Sequence, residues 1–230
     1  MKDTLTAGAR ELGIPLSEAT ADKLCAFAEA VVNQNEVMNL TAITEPAAVA
    51  KLHLLDSLTL LQVADLKGKS LIDVGCGAGF PGVPAAIACP EARVTLLDSL
   101  GKRMQWLESV LPQLGIRARC ITARAEEAVK DYRESFDYAS SRAVARLNIL
   151  LELTAPYVRL GGAVLALKGA AAREELEEAK GAVKKLGLKV EEIRDFHIDG
   201  ANHSIIVLRK IAHTPAQYPR RFAKIKQSPL

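Results

Sequence analysis

LIDVGCGAGFPG, Leu71 to Gly82, runs an apolar strand pattern through Asp73, places glycine at 75, 77 and 79, and opens a helical pattern near Pro81. Glycines here let the backbone turn sharply and let a ligand approach with no Cβ in the way. The next strand-like run, VTLLD, ends on Asp98, 23 residues after Gly75. A carboxylate at that distance commonly binds ribose hydroxyls. Two cofactors suit the pattern. A dinucleotide rests its pyrophosphate on the helix N-terminus, and Gly77 to Gly82 fits GxGxxG. S-adenosyl-L-methionine carries a sulfonium and an amino-acid tail, and Asp73, two residues before the first glycine, suits its ammonium group. A glycine turn without a ligand is the bland alternative.

Outward from this loop, short apolar runs alternate with helical patterns. Ser70–Val74, Arg93–Leu97, Arg117–Thr122, Phe136–Ser140 and Ala163–Lys168 read as strands. Gly82–Ala88, Lys102–Leu114, Ala145–Val158 and Ala171–Leu186 read as helices between them. That rhythm predicts an α/β, Rossmann-like parallel sheet with helices on both faces. It breaks at the end, where Leu188–Phe196 and His203–Ile211 flank an Asp199-Gly200 turn with no helix between, so they are expected to pair antiparallel. The closing hairpin completes a mostly parallel seven-stranded sheet and favours the S-adenosylmethionine reading, since a dinucleotide fold would normally continue parallel. Before the sheet, Ser17 caps a helix with Leu24, Phe27, Ala28 and Val31 on one face. Asn33 to Thr44 reads as a polar connector, and Pro46 opens a second helix to Val63. The expected organisation is a helical extension (1–65), a Rossmann-like domain (66–212) and a basic tail (213–230).

At 230 residues, 49% hydrophobic and 25% charged, the chain has material for a real core. No apolar run reaches the length of a membrane span. The four cysteines are 51, 13 and 31 residues apart, so neither a disulfide framework nor a metal site is expected, and a reduced cytoplasmic protein is the default. His197, His203 and His213 lack ligand spacing and read as surface or loop residues. Residues 201–230 hold six Lys/Arg and no Asp/Glu, whereas the first 200 carry a net −3. A basic tail on a mildly acidic body points to a polyanion, nucleic acid ahead of membrane.

The stretches NLTAIT (Asn39–Thr44), HLLDSL (His53–Leu58), DVGCGAGFPG (Asp73–Gly82), LLDSLGKR (Leu96–Arg103), ARAEE (Ala123–Glu127), SRAVARL (Ser141–Leu147), LKG (Leu167–Gly169) and the terminal YPRR and SPL resemble the GidB/RsmG family. These are bacterial 16S rRNA methyltransferases acting on guanine N7. The resemblance implies S-adenosylmethionine as cofactor and 16S rRNA, in the small ribosomal subunit or an assembly intermediate, as partner. It implies that Gly75 and Phe80 line the cofactor site, that Asp98, Ser99 and Leu100 hold the ribose and adenine end, that Ala125 and Glu126 hold the adenine edge, and that Arg142 lies beside the methionine moiety. A monomer is expected. The tail departs from the family by carrying Phe222-Ala223-Lys224-Ile225 where a Gly-x-Pro is usual.

Guanine N7 presents an in-plane lone pair, so the chemistry needs positioning rather than a base. No N/D-P-P-Y/F follows the fourth strand, and Cys89-Pro90 is the reverse of a Pro-Cys nucleophile. Arg142 and Lys168, ending adjacent strands, are the candidate positioning residues, for a phosphate or guanine O6. The competing reading is an ordinary ion pair at a strand end. His53, Asp56 and Ser57 form a polar stripe that faces RNA or the cofactor mouth, or else a His–Asp bond that fixes the helix. Arg220, Arg221, Lys224 and Lys226 are expected to grip RNA phosphates. The rivals are a methyltransferase for a protein or metabolite, a cofactor-binding module without turnover, and an NAD-dependent oxidoreductase.

Overall fold

A computed structural model describes the whole chain, Met1 to Leu230. Seven strands, β1 (Ser70–Val74), β2 (Arg93–Asp98), β3 (Arg119–Thr122), β4 (Phe136–Arg142), β5 (Val158–Lys168), β6 (Leu188–Ile198) and β7 (Ala201–Lys210), lie in the order β3-β2-β1-β4-β5-β7-β6. The first five are parallel, and β7 inserts antiparallel between β5 and β6. Leu71 to Val74 are all buried, as expected of a parallel strand covered on both faces. Strand order reverses between β1 and β4, which leaves a crevice beyond their carboxyl ends where ligands bind in open α/β sheets.

Helices α1 (Lys2–Glu11) and α2 (Glu18–Met38) begin the chain. Ser17 caps α2, its Oγ accepting the Thr20 N–H at 3.1 Å. The connector expected from Asn33 is helical as far as Met38. Polar residues there face outward at little cost in propensity, and the helix ends only where Asn39 turns left-handed at φ 45°. The helix expected from Pro46 to Val63 is broken. After α3 (Pro46–Val49) come a π turn (Ala50–Leu55), α4 (Asp56–Leu58) and a 3-10 turn (Thr59–Gln62). Such widened turns re-aim side chains, often at functional sites, and here His53, Asp56 and Ser57 are all buried.

Around the sheet lie α5 (Gly82–Ala88), α6 (Gly101–Gln113), α7 (Ala125–Tyr132), α8 (Leu147–Thr154), α9 (Ala172–Glu178) and α10 (Lys180–Lys185). One core joins Leu5, Leu24, Phe27, Leu54 and Leu58 of the N-terminal helices to Leu71 and Leu96 of the sheet and Leu107 of α6. The other packs Leu150, Leu151 and Tyr157 against Ile72, Val164 and Ile206. The N-terminal helices therefore cover one face of the sheet and share its core rather than standing apart.

The tail is folded, and this corrects the reading of its charges. It ends in α11 (Phe222–Gln227), whose Ile225 is fully buried. Arg220 is bound to Glu152, 2.6 Å from Oε2, so its guanidinium is not free for phosphate. Glu152 is itself fully buried. Arg209 pairs with Glu191, and Lys210 is buried beside Glu134 and the Ala155 carbonyl. Three of the six basic charges are thus matched internally, leaving Arg221, Lys224 and Lys226 exposed.

Arg220→Ala strands the Glu152 carboxylate in the interior, a loss of about 3–5 kcal/mol. Urea unfolding should show the drop, and limited proteolysis should cut first in the released tail.

Candidate functional site

A cleft of about 530 Å³ opens at the strand-order reversal, floored by Val74 of β1, Leu97 and Asp98 of β2 and Arg142 of β4. The glycine loop crosses it in a fixed shape. Gly75 and Cys76 donate their N–H groups to the Leu97 carbonyl at 2.8 and 3.2 Å. Asp98 staples two loops together, accepting from the Gly77 N–H at 2.9 Å and from the Leu100 N–H at 2.9 Å. Gly75 sits at φ +72°, and a Cβ there would fall 2.4 Å from Val144 Cγ2, so both conformation and space require glycine.

Gly75, Gly77, Phe80, Asp98, Ser99, Ala125, Glu126, Arg142 and His53 all line this cleft. Four expected residues do not. Asp73 is fully buried beneath the loop, accepting from the Gly82 N–H at 2.8 Å and the Ser140 hydroxyl at 3.0 Å. Its carboxylate closes the loop onto α5 and does not reach the cleft to meet an ammonium group; burial pushes its pKa up to about 6. Gly79 is turned into the core, where a Cβ would strike Val83. Leu100 is half-exposed outside the cleft. Lys168 lies outside it too, in a neighbouring cavity. Leu40, Thr41, Arg103, Arg124, Val144 and Phe222 line the cleft without having been singled out. Leu40 and Thr41 lie within NLTAIT, Arg103 and Arg124 within DSLGKR and ARAEE, and Val144 within SRAVARL, whereas Phe222 falls in the tail segment that departs from the family.

The cleft's inner wall is a buried polar network. Arg142 donates to Asp56 Oδ2 at 2.7 Å, to the Leu52 carbonyl at 2.8 Å and to His53 Nδ1 at 3.1 Å. Asp56 Oδ1 lies 2.9 Å from His203 Nδ1, so His203 is a network member and not a free surface residue. Arg142, standing between His53 and Asp56, replaces the expected direct bond between those two. Arginine can only donate, so His53 Nδ1 accepts and Nε2 carries the proton, which goes to Thr41 Oγ1 at 2.7 Å. The same oxygen accepts the Ile43 N–H at 3.0 Å, leaving the Thr41 hydroxyl proton for another acceptor.

The His53 ring stacks on Phe80 with centroids 4.7 Å apart. Burial, followed by the nearby Arg142 charge, lowers its pKa to about 4, so it is neutral. Both ring nitrogens are bound to protein, so the ring lines the cofactor mouth and offers no free nitrogen to an RNA phosphate, which corrects the reading of the stripe as one that faces RNA. Asp56 is held ionised despite burial, because hydrogen bonds from His203 and Arg142 outweigh desolvation. The Arg142 charge is therefore matched by Asp56, whose other oxygen holds His203. S-adenosylmethionine fits these residues. The cleft has the volume of a small-molecule site, Asp98 ends β2 where a ribose would sit, and Leu97, Ala123 and Ala125 form an apolar slot beside it.

A family model described as rRNA small subunit methyltransferase G, GidB, matches residues 20–205. Ribosomal RNA small subunit methyltransferase G of Desulfitobacterium hafniense is 42% identical over 226 residues, covering 96% of this chain and 94% of that protein. The protein of the same name from Alkaliphilus oremlandii is 43% identical over 236 residues, covering 100% and 99%. Among solved structures, M. jannaschii TYW2 in complex with AdoMet superposes with a TM-score of 0.56 at 14% identity, covering 68% of this chain and 75% of that one. TrmN from Thermus thermophilus gives 0.54 at 21%, covering 67% and 48%. At these identities the structural likeness shows the fold.

Because His53 is buried neutral, the unfolded chain binds a proton that the folded chain refuses between pH 6.5 and about 4. Stability from this group is present above 6.5 and is lost as pH falls through that window. Asp73, with its raised pKa, pulls the other way over much of the same range. A comparison with His53→Gln isolates the histidine. The stability advantage of the wild type over this variant should shrink by on the order of 3 kcal/mol between pH 7 and pH 4, read from denaturant midpoints.

Proposed function

The chain belongs to the GidB family, rRNA small subunit methyltransferase G, and we propose from that membership that it methylates N7 of a guanine in 16S rRNA with S-adenosylmethionine as donor. When bound, S-adenosylmethionine supplies a methyl carbon that forms a bond to N7 as its bond to sulfur breaks; the electron pair leaves with sulfur, the purine becomes cationic, and no proton moves. The protein's task is then to hold donor and acceptor in line.

The observation that carries this reading is the state of His53. Both ring nitrogens are engaged, with Arg142 and with Thr41, and the ring resists protonation down to about pH 4. A side chain so committed is no general base, which suits an acceptor atom that already has a free lone pair and disfavours an exocyclic amine that must lose a proton. Matching of Arg142 by Asp56 suits a reaction in which positive charge passes from sulfur to purine. Asp98 would hold the ribose, Ala125 and Glu126 the adenine, and Arg142 the methionine side.

The exposed tail cations support a folded polyanion as substrate, namely the small subunit or an assembly intermediate. Arg221 and Lys224 flank Phe222, which lines the cofactor cleft, so phosphates gripped there lie beside the cleft. The cell compartment that contains ribosomes is the corresponding location.

Incubation with labelled S-adenosylmethionine and small subunits lacking 7-methylguanine should place label at N7 of a single 16S guanine. Gly75→Asp should abolish both the label and calorimetric cofactor binding, since it puts a side chain and a charge where the loop turns back. Label on a protein, or on a base amine, would contradict the reading. Reversing Arg221, Lys224 and Lys226 to Glu should weaken subunit affinity and reduce the salt slope by about one for each phosphate no longer gripped, with cofactor affinity unchanged.

A further inference from the structure

A second cavity, about 610 Å³, lies directly beside the cofactor cleft. The two share a partition made of Arg142, Ala143, Val144 and the His53 ring. Ala143 is left-handed, at φ +56°. Such a conformation costs an alanine of the order of 1–3 kcal/mol, and strained positions of this kind gather at functional sites. The turn swings Val144 over Gly75 and leaves that apolar side chain 40% exposed.

The β5 side of the cavity carries an ion pair. Lys168 Nζ lies 2.6 Å from the Ala145 carbonyl and 2.8 Å from Glu175 Oε2, and both side chains are largely buried. Glu175 Oε2 also accepts the Leu147 N–H at 2.8 Å. Both of these partners of the carboxylate bind that one oxygen. Oε1 therefore keeps its lone pairs, and Lys168 keeps one ammonium proton. The pair offers the cavity one donor beside one acceptor, with no net charge.

We propose that this cavity receives the acceptor purine, turned out of its RNA stack, and that the Lys168–Glu175 pair reads it as guanine. The inference rests on the methyl-transfer reading above and adds the substrate's side of the site. A flipped base is read through hydrogen bonds to its Watson–Crick edge and through side chains against its faces. Guanine presents an acceptor, O6, next to donors at N1 and N2, which matches a lysine proton next to a carboxylate oxygen. Adenine presents the reverse, a donor amine next to an acceptor nitrogen. Ile43, Leu52 and Leu167 supply the apolar surface for the ring. With that edge on the ion pair, N7, on the other side of O6, turns toward the partition and the cofactor beyond it.

Two variants test the assignment. Ile43→Trp fills the cavity, while Glu175→Gln keeps an oxygen for the Leu147 N–H and removes the charge. Both should bind S-adenosylmethionine within about threefold of wild type in calorimetry, yet lose at least ~30-fold in kcat/KM for methylation of subunits lacking 7-methylguanine. Thermal melts check folding, and Glu175→Gln decides alone if the tryptophan is not tolerated. Transfer close to wild type would overturn the proposal. So would a fall in cofactor affinity large enough to explain the slower transfer. A wild-type protein that binds S-adenosylmethionine but labels no guanine N7 would instead bring down the reading on which the proposal stands.

Discussion

The contact on which the site depends is the ion pair between Arg142 at the end of β4 and Asp56 in the broken helix, 2.7 Å apart with both side chains largely buried. Taking two such charges out of water costs several kcal/mol per ion, and the cost is met only where the remaining hydrogen-bonding positions are filled. Here they are. Arg142 also reaches the Leu52 carbonyl and His53, and Asp56 also holds His203. The network ties the N-terminal helices to the central strand and the closing hairpin in one place. It also sets the tautomer of His53, because an arginine on Nδ1 leaves the proton on Nε2. The cleft wall is thus made jointly by segments nearly 150 residues apart, and the helical layer is part of the site.

Much of the sheet was legible because its strands are short apolar runs between glycine turns and helices. The glycine loop marked the crevice, and the following carboxylate, Asp98, lines it as expected. Asp73 shows where spacing stops being informative. Distance along the chain cannot tell on which side of a loop a carboxylate lies, and successive strand residues point to opposite faces. Asp73 faces inward and caps its own loop. The helix end at Met38 was missed because polar residues on an exposed face resemble a connector when read singly. Helix α7 went unread because it has two turns and no side-chain cap. Phe222, far along the chain from the glycine loop, reaches the cleft through tertiary packing alone.

Charge counting gave the tail its character and overstated its reach. A sum over residues 201–230 registers six cations, whereas the fold matches Arg209, Lys210 and Arg220 with carboxylates from elsewhere. Lys210 is buried deeply enough to bring its pKa down to about 8. Such a lysine anchors the tail and has no surface from which to attract RNA. The cations left over are those on or beside α11, close to the cleft. The anchoring pairs therefore fix where the remaining charge is presented, and a disordered tail of the same composition would not do so.

The same economy of charge governs the partition between the two cavities. With the purine in the cavity proposed for it, a methyl group leaving a sulfonium carries formal positive charge from one side of Arg142 to the other. An unmatched guanidinium there would oppose both the bound donor and the cationic product. Asp56 removes that opposition, and the neutral imidazole beside it adds none. With the Arg142 charge matched, what remains to shape the partition is steric control. Control of that kind falls to residues 143 and 144, where a left-handed alanine holds an apolar side chain over the glycine loop. A more flexible residue at 143 would relax the turn and let Val144 drift. Strain in the backbone at this point is the counterpart of charge matching in the side chains: one fixes the shape of the partition, and the other offsets the guanidinium within it.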